Sequence, residues 1–163
     1  MFEIEPLISK IEQSSEEDRE RIIQQLIFEA EKNMIASDNQ IEIPQTDHFS
    51  KGVYAREIRV PKGAFVVGKI HKFENLNILS QGEMTVFSIE GIKRVKAPVT
   101  VVSPAGVKRL AFAHEDCVWT TIHGTKERNV EKIEKKFIAK SYNEVKKLSF
   151  KDKFILRWCK WLG

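Results

Sequence analysis

Residues 63–82 read GAFVVGKIHKFENLNILSQG. Gly63, Gly68 and Gly82 divide this stretch into short runs rich in Val, Ile, Leu and Phe. Runs of that length and composition, bounded by turn formers, read as strands. The same texture extends outward on both sides, from Gly52 to Thr125, with further punctuation at Pro61-Lys62-Gly63, Glu90-Gly91, Pro98 and Pro104-Ala105-Gly106. Candidate strands are 53–60, 64–71, 75–80, 83–89, 92–96, 99–103, 107–113 and 117–123. Glu90-Gly91, between Phe87-Ser88-Ile89 and Ile92-Lys93, is a hairpin signal. Eight short strands at intervals of roughly 8–12 residues predict a mainly β sandwich or barrel.

The flanks have a different period. In residues 1–37, Leu7, Ile8 and Ile11 share one helical face after Glu5-Pro6. Ser15-Glu16-Glu17-Asp18 is a capping-box-like start for a second helix, and Ile22, Ile23, Leu26, Ile27, Ala30 and Met34 recur at helical spacing beyond it. Residues 38–51 read as a polar connector with a β-like piece at Ile41–Ile43. Residues 126–163 return to helix. Val130, Ile133 and Phe137 follow the cap Asn129, and Phe150, Phe154, Ile155, Trp158, Trp161 and Leu162 form a last apolar face after Ser149. The expected organisation is an N-terminal helical extension (1–37), a β-barrel (38–125) and a C-terminal helical extension (126–163).

The 163 residues suit one domain with short extensions, and 42% hydrophobic against 31% charged residues is a globular balance. It excludes disorder, collagen and disulfide scaffolds. No apolar run reaches the roughly 20 residues that a membrane span needs. The first ten residues lack the basic and apolar regions of a secretory signal. Lys and Arg number 27 against 23 Asp and Glu, a net charge of +4, too small an excess to imply nucleic acid. Cys117 and Cys159 form no CxxC pair, so a reducing, cytoplasmic setting is expected.

The β zone resembles the cupin superfamily. The first cupin motif is G-x5-H-x-H-x3-4-E-x6-G. Its spacing is met by Gly63, Lys69 at the first His place, His71 at the second, Asn75 at the Glu place and Gly82. The second motif contains P-x-G-x2-H, met by Pro104, Gly106 and Arg109 at the His place, while Pro98 replaces its opening Gly. The resemblance implies a jelly-roll barrel, and it implies a metal site whose ligands are largely replaced. Lys69 and Arg109 bring positive charge where a metal wants neutral imidazoles and a carboxylate. No metal and no other cofactor is therefore expected. A narrower likeness is to small phage-encoded cupin-like proteins, through GVYAREIRVP (52–61), GKIHKFENLNILSQG (68–82), SPAGVKR (103–109) and HEDCVWTTIHGT (114–125). In that group the position of Phe73 or Asn75 is often His. The likeness implies a viral association, in the host cytoplasm or the virion.

The motif places Lys69 and His71 inward, and strand alternation then turns Asn75, Asn77 and Leu79 inward and Leu76 and Ile78 outward. Arg109, Ala111 and Ala113 share one face, as do Trp119, Thr121 and His123. The expected lining is Lys69, His71, Asn75, Asn77, Arg109, Thr121 and His123. Arg offers a planar fork to phosphate or carboxylate, Lys a point charge, and the amides hydrogen-bonding edges. This points to a small anionic, nucleotide-like ligand held by protein groups alone. His71 and His123 on one cavity would serve as base and acid for cleaving a phosphodiester or related bond. The plainer reading makes His71 and His123 packed barrel residues and lets Lys69 and Arg109 reach the rim. No acid stands at the four ligand places, so the cavity carries uncompensated positive charge unless an anion or a carboxylate from elsewhere meets it. From another class, the barrel would be a structural or virion-associated scaffold. Both helical stripes are wide enough to pack on the barrel or between chains, and a homo-oligomer is expected.

Overall fold

The structure is a computed structural model, and it describes residues 13–140 together with Ser9, Ile11, Glu144 and Val145. The apolar segment expected at 149–163 lies outside the described residues, as does most of the first helix. In chain order the elements are α1 (Glu16–Ala36), β1 (Gln45–Ser50), β2 (Val53–Val60), β3 (Phe65–Val67), β4 (Ile70–His71), β5 (Asn75–Gln81), β6 (Glu83–Ser88), β7 (Gly91–Lys96), β8 (Val99–Ser103), β9 (Leu110–Ala113), β10 (Cys117–Gly124), α2 (Val130–Phe137) and β11 (Ile138–Ala139).

Two antiparallel sheets form a jelly-roll barrel. One has five strands in the order β1-β2-β10-β5-β8 and the other four in the order β3-β9-β6-β7, while β4 pairs with β11. Side chains from both sheets meet at one end of the interior. Val60, Leu79 and Cys117 from the larger sheet pack on Met84, Ala111 and Ala113 from the smaller. Strand alternation produces this core, since Leu79 is fully buried while its neighbour Leu76, on the opposite face, stands exposed.

The other face of the smaller sheet is covered by α1. The Ser15 hydroxyl caps that helix by accepting from the Asp18 backbone N–H. Its stripe Ile23, Leu26 and Ile27 buries against Phe87 and Leu110. Each such side chain contributes about 1.5–3 kcal/mol when fully removed from water. The Lys108 ammonium reaches Glu31 of the helix at 2.5 Å, so an ion pair reinforces the apolar seam. Among the described residues no helix is long and apolar enough to cross a membrane.

Three local expectations change. The run 64–71 is not one strand. It breaks at Gly68, whose N–H donates to the Arg109 carbonyl, and Ile70–His71 leaves to pair with β11. The strand expected from 107 begins at Leu110; ahead of it the Gly106 N–H donates to the His71 carbonyl. The connector contains a strand at Gln45–Ser50, not at Ile41–Ile43. QTDHFS lacks apolar alternation because β1 is an edge strand, exposed along nearly its whole length and ordered by pairing with β2.

Two motif glycines hold places that other residues could not. Gly82 has φ +84°, and a Cβ there would lie 2.5 Å from the Asp116 carbonyl oxygen and 2.7 Å from Cys117 Sγ. Gly106 has φ +83° with Val145 close above it. The glycine frame of the motif is thus a frame of left-handed turns.

Candidate functional site

The packed core fills only one end of the barrel. The remainder is a cavity of about 350 Å³. It lies between the inner faces of both sheets, and α2 and β11 contribute Glu134, Phe137 and Ile138 to its wall.

Lys69, His71, Asn75, Asn77, Arg109, Thr121 and His123 all line this cavity. Their roles within the wall differ. Asn77 is committed internally. Its Nδ2 donates to Asn75 Oδ1 at 2.8 Å and Ser103 Oγ at 2.7 Å. Its Oδ1 accepts from Thr121 Oγ1 at 2.7 Å and Trp119 Nε1 at 3.2 Å. Those four bonds exhaust a primary amide. Asn77 therefore orients Thr121 and Trp119 and has nothing left to read a ligand edge, contrary to the expectation from sequence. Asn75 donates to the Phe73 carbonyl and keeps one N–H.

The two histidines meet. His71 Nδ1 lies 3.2 Å from His123 Nε2, and their rings stack with centroids 5.0 Å apart. His123 stacks in turn on Phe137 at 4.4 Å. One ring nitrogen of the pair donates and the other accepts, so the accepting imidazole is neutral. Burial pushes the His71 pKa down to about 4, helped by His123, Arg109, Lys69 and Arg56. Burial, with Arg56, pushes His123 down to about 4 as well.

Sequence reasoning missed Arg56, the best-anchored cation of the wall. Its Nε donates to Asp47 Oδ1 at 3.0 Å and its Nη1 to Glu134 Oε1 at 2.5 Å. Burial works against the Arg56 charge, but these carboxylate bonds outweigh it and raise its pKa. Its Nη2 is buried and has no hydrogen-bond partner among the described residues. The signal was present in the alternation of Tyr54, Arg56, Ile58 and Val60, which sets a guanidinium on the apolar face of a strand.

The positive charge of the site is met by a carboxylate from elsewhere in the chain, one of the two partners left open by the sequence. Glu134 Oε1 accepts from Lys69 Nζ at 2.8 Å as well as from Arg56. Those two cations hold its carboxyl below the usual range. Arg109 reaches only Glu90, at 3.4 Å. Lys69 extends to the rim with its side chain half exposed, whereas Arg109 stays largely buried. Of the charged groups that line the cavity, Arg56, Lys69 and Arg109 face a single carboxylate, Glu134.

A cupin-like metal does not fit this donor set. His71 is the one imidazole at the four motif places, and Arg56, Lys69 and Arg109 repel a cation there. Among the described residues no three His, Cys, Asp or Glu side chains are grouped to hold a metal ion.

No protein-family model matches the chain, and a search of curated proteins finds no significant match. Solved structures to which the chain is similar include KdgF from Halomonas sp., with 16% identity over 58% of this chain and 90% of that one and a TM-score of 0.46. A cupin superfamily protein from Desulfitobacterium hafniense shares 12% identity over 55% and 83% of the two chains, with a TM-score of 0.45. An RmlC-like cupin family protein with a double-stranded β-helix fold, from Methanocaldococcus jannaschii, shares 17% over 55% and 86%, with a TM-score of 0.43.

Proposed function

We propose that the barrel binds one small anion with a planar or apolar body, a nucleotide-like ligand, through protein groups alone. The observation that carries this reading is the cavity of about 350 Å³, whose wall brings Arg56, Lys69 and Arg109 together, with Glu134 in the wall and Asp47 and Glu90 behind Arg56 and Arg109 as their carboxylate partners. Ligand cavities begin at about that size, and an apolar wall with a few convergent polar groups is their usual composition. Val66, Val86, Ile58, Trp119 and Phe137 offer the apolar surface. Arg109, with one long contact to Glu90, keeps a guanidinium edge open for a further contact to the ligand. The scaffold alternative calls for a barrel filled by its own side chains, and the cavity favours the ligand.

Binding comes before cleavage in this reading. Both imidazoles are held neutral at neutral pH, so neither is charged to protonate a leaving group. The likeness to phage-encoded proteins makes a host signalling nucleotide the first class to try, with sequestration in the cytoplasm as the effect on host defence. A homo-oligomer is the assembly we propose, and light scattering in solution tests it.

The ligand test is thermal. A panel of nucleotides, sugar phosphates and carboxylates is screened for a raised melting temperature, which mass action requires of anything that binds only the folded chain. A responding compound that loses its effect with Arg109→Ala supports the cavity reading. A panel that leaves the melting curve unmoved, or an Arg109→Ala variant that responds like the parent, would sink it.

A further inference from the structure

We infer that the oxyanion of the ligand takes the place now held by the Glu134 carboxylate, between Arg56 and Lys69, and that Glu134 is a built-in competitor which swings out on binding; this rests on the cavity reading above. A guanidinium binds a carboxylate or phosphate best in a two-point fork. The terminal pair of Arg56, Nη1 and Nη2, is half used. Glu134 Oε1 takes Nη1 at 2.5 Å, and Nη2 is buried without a partner. Asp47 holds the other edge through Nε at 3.0 Å, and it also accepts from the Tyr54 hydroxyl at 2.5 Å, so the guanidinium is fixed from behind.

Glu134 leaves the fork incomplete, since its Oε1 bridges Arg56 and Lys69 while Nη2 finds no partner among the described residues. A free phosphate or carboxylate can. One oxygen takes Nη1 and Lys69 Nζ, where Glu134 Oε1 sits, and a second takes the orphan Nη2. The exchange replaces two contacts with three and satisfies the buried N–H that the chain leaves open. Glu134 is free to leave, since it belongs to α2 at the cavity mouth and its side chain is about 38% exposed. A change of rotamer returns its charge to water without moving the helix. The competing carboxylate also keeps Arg56 and Lys69 neutralised when no ligand is present, which lowers the cost of two cations on an apolar wall. The ligand class that follows is an organic phosphate monoester or carboxylate whose body fills the apolar cavity beyond Arg56.

The experiment measures binding of adenosine monophosphate and of inorganic phosphate by calorimetry to the parent chain, Glu134→Gln and Glu131→Gln. Glu134→Gln removes the competitor, so the fraction of molecules with an open seat rises and affinity should rise about tenfold. Glu131→Gln removes the same charge from the exposed side of the same helix without opening the seat, and should change affinity less than about twofold. Lys69→Gln should weaken binding severalfold. If Glu134→Gln does not fold, Glu134→Asp carries the test with the same sign and a smaller factor. Equal or weaker binding by the Glu134 variant overturns the displacement and leaves the cavity reading standing. An equal gain in Glu134→Gln and Glu131→Gln also overturns it, by reducing the effect to long-range charge. If neither the parent nor Glu134→Gln binds either probe, the displacement and the cavity reading fall together.

Discussion

The two ends of the barrel are built from the same strands and solve opposite problems. At one end Leu79, Ala113 and Cys117 are buried in a packed cluster, and its members Val60, Met84 and Ala111 also line the cavity. At the other, the same β2 and β10 that supply Val60 and Cys117 carry Arg56, Thr121 and His123, and the interior stays open. A few residues along a strand separate a site that stabilises the fold from one that costs stability. The packed end gains from apolar burial and dispersion. The open end holds a buried guanidinium with an orphan N–H and two imidazoles kept neutral against their ordinary pKa. These groups cost stability in the empty chain, and the proposed ligand is what would meet them.

This contrast can be broken most directly at Leu79. Leu79→Ala should cost about 3–4 kcal/mol in chemical denaturation, because the fully buried side chain has no solvent-facing route to collapse. A loss below about 1.5 kcal/mol would mean that the two ends do not differ in packing.

Acid is the next largest lever, and it acts on the open end. Both histidines have folded values of about 4 against an ordinary 6.5. Between those values the unfolded chain binds protons that the folded chain refuses. Stability is therefore complete above pH 6.5 and falls as the pH drops toward 4, by on the order of 3 kcal/mol for each of the two imidazoles. Glu134, held low by Lys69 and Arg56, adds to the loss only at the acid end of that window. His71→Phe should flatten the profile measured by denaturant titration at a series of pH values. A profile equally steep in that variant would place the titrating groups elsewhere.

Ligand stabilisation comes third. A compound present at about a hundredfold its dissociation constant should add about 2.7 kcal/mol to the parent. With Arg109→Ala that gain should vanish while the circular dichroism spectrum is unchanged. The smallest effect belongs to the rim. Lys69→Gln should change stability by less than about 0.5 kcal/mol, since its side chain is half exposed and its pair with Glu134 is screened. A larger loss would show that the rim belongs to the packed structure and that the boundary between the two ends is misplaced.

Legibility in the sequence follows the reach of the forces involved. Alternation is local, so spacing groups Asn75, Asn77 and Leu79 on one face and Trp119, Thr121 and His123 on another, the motif likeness chose the inward side, and the cavity wall contains all but Leu79, which lies in the packed core. The edge strand Gln45–Ser50 could not, because its order comes from pairing with β2 and leaves no apolar period behind. Asn77 looked like a ligand reader because its amide has four bonding sites. Only the positions of Thr121, Trp119, Asn75 and Ser103 reveal that all four are used. Glu134 follows the apolar Ile133 in a segment that reads as an extension, and nothing local connects it to Lys69, 65 positions earlier in the chain.

By itself the sequence determined the mainly β class, the left-handed glycine turns, both helix caps and the residue types facing inward. Each depends on steric limits or periodicity within a few residues. The tertiary structure decided the rest. It made one end of the barrel solid and left the other hollow, brought His71 against His123, and set a carboxylate from α2 between Arg56 and Lys69. Charge compensation and cavity volume depend on which distant side chains arrive at the same point, and chain-local rules do not encode that meeting.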